Sequence, residues 1–332
     1  MIHGVYVGKF YPFHTGHLRL INEARSHCDV LTVLLVDNPT YNAPGAVIRE
    51  NWIRSTLREG TFSIAAHASV NVVTIPDLPG IDDSRTWALH AKRYVPQQID
   101  EVYSSEEYGI AFANELGAVH RMIDHDRVHV PISGTQIRKN PLAYLEYLPP
   151  VVRSYYVKRV AIVGAESTGK TTLAKALAAH YRTSVAWEYG RLYSEGKLDQ
   201  DYAVWLSEEF LHIAIAQAML EDQLARRANK VLICDTDPFA TSIWHQRYMG
   251  NSSEAVELVA QSRFYDLTLL TGDEIPFAQD GTRDGEHIRH QMHGWFIDKL
   301  QRLNRPYLIV SGYAETRLLS AIEAIDRLLS GG

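Results

Sequence analysis

The chain has 332 residues, 46% hydrophobic and 22% charged, which supplies apolar side chains for two domains of ordinary size and excludes a disordered chain. A formal charge of -6 excludes a general nucleic-acid binder, which needs a basic surface to displace counterions, yet leaves room for small anions held by local positive groups. No apolar run approaches the roughly 20 residues that cross a bilayer, and Cys28 and Cys234 sit in apolar runs without CxxC or framework spacing, so a reducing, cytoplasmic setting without membrane insertion is expected.

Residues 2–7 read as a buried strand that leaves no place for a cleavable signal ahead of it. A helix follows at 16–26 and a strand at 30–36, with further strands at 70–75 and 101–104. Such alternation implies a parallel sheet covered by helices. Around 140–157 the pattern gives way to a Pro- and Tyr-rich segment with Pro141, Pro149 and Pro150, which places the junction between a first domain, 1–150, and a second, 158–330. The second set has strands at 160–163, 230–234, 267–270 and 307–310, again separated by helices. No internal repeat relates the halves.

The first strand runs into Gly8-Lys9-Phe10-Tyr11-Pro12-Phe13-His14-Thr15-Gly16-His17, which opens the first helix. Free N–H groups and the positive end of the helix dipole favour an anion there, and His14 and His17 can both face a bound phosphate. A zinc site would need three or four ligands, and no third stands at a telling spacing. Late in the same domain, Ile132-Ser133-Gly134-Thr135-Gln136-Ile137-Arg138 follows a short apolar stretch read as a strand. Ser133 or Thr135 alone would make an ordinary helix cap; two hydroxyls with Arg138 one turn on can clamp a triphosphate.

This pair of motifs resembles the HxGH nucleotidyltransferase superfamily. The resemblance implies a Rossmann-like α/β domain and attack of a substrate phosphate on the α-phosphorus of ATP, with pyrophosphate leaving and no enzyme nucleophile. His14 and His17 would contact the phosphates, Lys9 and Arg138 would offset charge, Gly8, Phe10, Gly16, Ser133 and Thr135 would border ATP, and Mg2+ would bridge its oxygens.

In the second domain Gly164-Ala165-Glu166-Ser167-Thr168-Gly169-Lys170-Thr171 fits GxxxxGK[ST] between an apolar strand and the amphipathic helix 172–181. The loop, continued by Thr172, would cradle phosphates; Lys170 would reach the β- and γ-phosphates and Thr171 would ligate Mg2+. Trp187-Glu188-Tyr189-Gly190-Arg191 follows the next strand, and Asp235 and Asp237 end another. Asp235 suits the metal, and either Glu188 or Asp237 suits the substrate hydroxyl as general base; Glu188 and Arg191 also admit a plain surface pair. Arg283, in Asp280-Gly281-Thr282-Arg283, is a candidate transition-state cation. His287, His290 and His293 tempt a metal reading, but their three-residue steps drift round a helix and they are assigned no chemistry.

Domain order and whole stretches, above all ISGTQIRKNPLAYLEYLPP running into VAIVGAESTGKTTLAKALA, resemble the NadR-type bifunctional enzymes. That resemblance implies two α/β domains, a nucleotidyltransferase followed by a P-loop kinase, each a parallel sheet flanked by helices. The kinase would make nicotinamide mononucleotide from nicotinamide riboside and ATP, and the transferase would join that product to AMP, giving NAD. Trp87 is a candidate stacking platform for nicotinamide in the first domain, and Trp187, Tyr189 or Tyr202 in the second. The chain starts at the adenylyltransferase strand without a helix-turn-helix, so no nucleic-acid partner is expected; a homo-oligomer is compatible with everything above. The rival readings are a nucleotidyltransferase and nucleoside kinase for another metabolite, and a nucleotide-sensing regulator with slow turnover.

Overall fold

The computed structural model describes residues 1–40, 42–60, 68–197, 204–278 and 285–331. It divides into two compact units, Met1–Arg153 and Ser154–Gly332.

The first unit runs β1 (His3–Gly8), α1 (Thr15–Ala24), β2 (Val30–Asp37), α2 (Ala46–Glu59), β3 (Ser69–Pro76), α3 (Ser84–Tyr94), β4 (Glu101–Ser104), α4 (Tyr108–Leu116), β5 (Val119–Met122) and α5 (Gly134–Lys139), and the helix α6 (Pro150–Tyr156) contains the division. Its sheet has the order β3-β2-β1-β4-β5, all neighbours parallel. Strand β2 reads as an unbroken apolar run because helices cover both faces, and six of its eight residues are buried. The core joins Val5, Leu34 and Val102 to Ala88 and Ala91 of α3 and Phe112 of α4. The chain leaves β1 in opposite directions toward β2 and β4, so a crevice opens beyond their carboxyl ends, where ligands bind in sheets of this kind.

The second unit runs β6 (Lys158–Val163), α7 (Lys170–Tyr181), β7 (Val185–Ala186), α8 (Tyr189–Lys197), α9 (Ser207–Ala225), β8 (Val231–Asp235), α10 (Pro238–Met249), α11 (Glu254–Gln261), β9 (Leu267–Thr271), α12 (Arg289–Arg302), β10 (Tyr307–Val310) and α13 (Ala314–Leu329). Its order is β10-β9-β6-β8-β7, again all parallel. Val160, Ile162, Leu173, Ile233, Leu269 and Ile325 form its core. Here β6 lies between β8 and β9, and the same kind of crevice opens at its carboxyl end.

Three local expectations change. Helix α1 ends at Ala24, two residues early, and α7 begins at Lys170, the lysine of the phosphate loop itself. The stretch before Ser133 is a series of bends, with Val128 76% exposed; the strand lies upstream as β5, a solvent-facing edge of sequence VHRM. Both cysteines are free and buried. No helix among the described residues is long and apolar enough to cross a membrane.

Candidate active sites

In the first unit His14 caps α1. Its Nδ1 accepts the Gly16 N–H at 3.1 Å, and His17 Nδ1 accepts the N–H of His14 at 3.2 Å, a reciprocal pair that satisfies two donors left over at the helix start. An Nδ1 that accepts a backbone N–H carries no proton, so each neutral ring holds its proton on Nε2. The rings lie 3.7 Å apart, centroid to centroid. Burial lowers the pKa of His14 to about 4, with the Arg127 charge adding to the effect. Burial, then His14, then Arg127 hold His17 well below its ordinary value. Both imidazoles are therefore neutral hydrogen-bond donors at neutral pH, and an arriving anion would favour their charged forms.

The seat beneath them is tightly built. Phe13 stacks on His17 at 5.8 Å and Phe10 meets it edge-on at 5.2 Å. Phe10 is buried, so its ring supports His17 from below and does not border ligand space. Gly16 is required by close approach: a Cβ there would lie 2.9 Å from His14 Cε1. Arg49, which sequence inspection passed over, is fully buried and donates to the carbonyls of Lys9 (2.6 Å), Pro44 (2.8 Å) and Val36 (3.1 Å) while pairing with Asp37. It staples the loop after β1 to the end of β2.

The far motif folds back onto the first. Ser133 caps α5, its hydroxyl accepting the Gln136 N–H at 3.2 Å while Gln136 Oε1 accepts the Ser133 N–H at 2.9 Å. Arg138 donates to the Tyr11 carbonyl at 2.6 Å and to the Thr135 hydroxyl at 2.8 Å. Thr135 and Arg138 are exposed and join the two motifs, whereas Ser133 and Gly134 face the cavity. That cavity, about 900 Å³, is bordered also by Gly8, Lys9, His14, His17, Arg127 and Trp87, whose indole N–H donates to the Ile81 carbonyl at 3.0 Å.

In the second unit the loop 164–169 joins β6 to α7. Gly164 has φ 146°, and a Cβ there would fall 2.4 Å from the Thr271 hydroxyl. Lys170 Nζ donates to the Ala165 carbonyl at 2.8 Å, and the Thr168 hydroxyl does the same at 2.8 Å. Arg317, buried on α13, donates to the carbonyls of Thr168 (2.6 Å), Gly312 (2.9 Å) and Gly272 (3.1 Å) and pairs with Glu274 (2.5 Å), pinning the phosphate loop from behind. Glu166 accepts from Arg247 of α10 at 3.0 Å and from the Gly285 N–H at 2.8 Å, and Ser167 Oγ accepts the Ala278 N–H at 2.7 Å.

Thr171 donates to Asp235 Oδ2 at 2.7 Å, and Asp235 Oδ1 is buried without a hydrogen-bond partner among the described residues. A hydroxyl and a bare carboxylate oxygen side by side fit Mg2+, which takes few protein ligands when it also binds nucleotide phosphates. Burial raises the Asp235 pKa, against the Thr171 bond and the Lys170 charge, so a cation at the free oxygen would relieve a real cost. Glu188, half-buried, borders a cavity of about 560 Å³ together with residues 166–172, Arg191 and Thr236. Burial raises its pKa too, with Lys170 as the main opposing charge.

Asp237 does not share this site. It is fully buried, one oxygen capping α10 at the Ala240 N–H (2.9 Å) and the other paired with Arg305 (2.5 Å). Its position ahead of Pro238 is the signature of a helix cap, a signal that could have excluded it as a base. Trp187 and Tyr189 also stand outside the cavity: Trp187 is 44% exposed with Lys175 Nζ 6.0 Å above it, and the Tyr189 hydroxyl lies 3.2 Å from His212 Nε2. The aromatic wall comes from Trp205, Phe210, Trp244 and Tyr248 instead. Tyr202 and Asp280 to Arg283 lie outside the described residues. His287 sits in a 3-10 turn and His290 pairs with Asp273 at 2.5 Å; among the described residues no cluster of three metal-ligating side chains occurs.

Residues 5–59 match the cytidylyltransferase-like family model and residues 159–317 the AAA domain model. The chain is 31% identical to the trifunctional NAD biosynthesis/regulator protein NadR of Escherichia coli K12 over 98% of this chain and 83% of that protein. It is 28% identical to a nicotinamide-nucleotide adenylyltransferase of Methanocorpusculum labreanum over 46% of this chain and 89% of that enzyme. A crystal structure of a NadR protein in complex with NR superposes with a TM-score of 0.76 at 23% identity, covering 98% of this chain and 95% of that one. Another, with NAD and AMP-PNP, gives 0.75 at 22%, covering 99% and 96%. These last two establish a shared fold.

Two outcomes are expected. NMR titration of His14 in the ligand-free protein finds the Nε2–H tautomer and a midpoint near pH 4; because the folded value lies below the unfolded one, this residue's contribution to stability is lost as pH falls from about 6.5 toward it. A midpoint near 6.5 would mean a solvated ring. Asp237→Ala strands the Arg305 charge and lowers stability by about 3–5 kcal/mol, read from thermal melting.

Proposed function

Because the chain belongs to the NadR family of NAD biosynthesis proteins, we propose that it makes NAD in two steps, each using ATP and Mg2+. The second unit phosphorylates nicotinamide riboside to nicotinamide mononucleotide, and the first converts that mononucleotide and ATP to NAD and pyrophosphate. The observation that carries the reading is that each parallel sheet has its own anion cradle at the carboxyl end of its central strand, one built on a neutral histidine pair and one on a glycine loop with Lys170.

In the kinase step the 5′-hydroxyl oxygen of the riboside attacks the γ-phosphorus. The bond to the β–γ bridging oxygen breaks, ADP leaves, and Glu188 takes the hydroxyl proton. A carboxyl whose pKa burial has raised is closer to the operating pH, which suits a general base. Lys170 exchanges the Ala165 carbonyl for phosphate oxygens, and Arg191 adds a second cation on the same wall. Mg2+ held at Thr171 and Asp235 would neutralise charge on the β- and γ-oxygens. The aromatic wall receives the nicotinamide ring.

In the transferase step a phosphate oxygen of the mononucleotide attacks the α-phosphorus and pyrophosphate leaves. His14 and His17 donate from Nε2 to the ATP phosphates, His17 to the reacting one, while Lys9 and Ser133 complete the triphosphate clamp and Thr135 and Arg138 hold its two motifs together. Catalysis here is positioning and charge neutralisation. Trp87 provides the flat surface for nicotinamide. The two free, buried thiols fit a cytoplasmic enzyme.

Purified protein given Mg-ATP and nicotinamide riboside is expected to yield NAD by chromatography. His17→Ala accumulates nicotinamide mononucleotide; Lys170→Ala makes nothing from the riboside but still converts added mononucleotide. Failure of the wild type to use either substrate would overturn the assignment.

A further inference from the structure

Helix α9 buries Phe210, Ile213, Ala214, Gln217, Glu221 and Ala225, which recur at steps of three and four and so share one face. Two of the six are polar, Gln217 at 1% and Glu221 at 0% exposure, and groups buried that deeply need specific partners. Gln217 Oε1 accepts the Tyr189 N–H at 2.9 Å, and Gln217 Nε2 donates to Glu221 Oε1 at 3.3 Å. The first of these bonds reaches the kinase centre. Glu188 stands between the end of β7 at Ala186 and the start of α8 at Tyr189, outside both hydrogen-bond ladders. The N–H of Tyr189 belongs to the peptide plane that also contains the Glu188 carbonyl, so a hold on that N–H fixes one of the two soft backbone dihedrals of Glu188.

We propose that Gln217 is a positioning residue for the kinase, setting the orientation of Glu188 through the Glu188–Tyr189 peptide, and that Glu221 sets the orientation of Gln217. This rests on the assignment of Glu188 as the group that takes the riboside proton. An amide can be seated either way round, and only its oxygen can receive the Tyr189 N–H. A carboxylate at Glu221 accepts only, so it draws the amide nitrogen toward itself and turns the oxygen to Tyr189.

Glu221 is held in turn: the Tyr265 hydroxyl donates to its Oε2 at 2.7 Å, and Arg263 and Arg159 lie at 3.6 and 3.8 Å. Burial pushes its carboxyl up to about 7 against the Tyr265 bond and the guanidinium charges. A proton on Oε2 is accommodated by the Tyr265 hydroxyl turning from donor to acceptor, so Oε1 accepts from Gln217 in both states. Asp222 keeps Arg159 and Arg263 paired at 2.8 and 2.6 Å, so Glu221 can be replaced by an amide without stranding either cation.

The test uses the full chain with Mg-ATP and nicotinamide riboside, with conversion of added mononucleotide by the first unit and the melting temperature as controls. Gln217→Leu is expected to lower kinase kcat by about 10²-fold, the scale of a misplaced catalytic group, with KM for ATP and mononucleotide conversion unchanged and the melting temperature lowered slightly, because Glu221 Oε1 and the Tyr189 N–H lose their partner. Gln217→Glu sets two buried carboxylates against each other and loses kcat as well. Adding Glu221→Gln reverses the donor and acceptor of the pair, satisfies Tyr189 and Tyr265 again, and is expected to restore kcat. A Gln217→Leu enzyme with wild-type kcat, or a double variant no better than Gln217→Glu, overturns the proposal while leaving Glu188 as base. A fully active Glu188→Gln removes the base assignment and this inference with it.

Discussion

A helix that starts where a buried parallel strand stops leaves its first backbone N–H groups without carbonyl partners. Both units carry this constraint at the centre of their sheets, at β1 into α1 and at β6 into α7. In the first, the His14 and His17 rings satisfy part of the deficit and add their own Nε2 donors. In the second, Gly169 and Gly164, both at positive φ, let the loop turn its N–H groups toward the same kind of space. An anion would complete each arrangement, because local donors can offset a net charge of -6.

Such loops have no ladder of their own, and in each a buried guanidinium gathers the backbone carbonyls. Arg49 ties the loop after β1 to β2, and Arg317 ties the phosphate loop to the turns after β9 and β10. A planar group with five donors in fixed directions can satisfy several converging carbonyls at once, which an ammonium cannot do in the same geometry. The scaffold thereby keeps its donors aimed before substrate arrives, the condition under which fixed dipoles stabilise developing charge most effectively.

The contrast between what could and could not be read from the sequence follows from chain distance. The two phosphate cradles were legible because each packs its chemistry into about ten contiguous residues at a strand-to-helix junction. The strands β2 and β6 were legible from unbroken apolar runs, while β5 was not, because a solvent-facing edge of sequence VHRM carries no such run. Arg49, Arg317 and Gln217 were invisible because the bonds that tie them to Lys9, Thr168 and Tyr189 span 28 to 149 residues and end on backbone carbonyls and amides that every residue has. The aromatic wall was missed for a related reason: Trp205, Phe210, Trp244 and Tyr248 converge only when α9 and the segment before it meet α10.

Carboxylates after β7, at and after the end of β8, and on α9 show how environment divides one chemical group among different tasks. Asp237 spends both oxygens, on a helix cap and on Arg305, and contributes a fixed joint. Glu221 spends both on Gln217 and Tyr265 and contributes orientation. Asp235 spends one on Thr171 and leaves the other buried and bare, a configuration that favours a cation over water. Glu188 stands against the cavity with Lys170 as its chief opposing charge and burial raising its pKa, and so can exchange a proton with a bound ligand. Residue type does not separate these four; what each oxygen is already bonded to does.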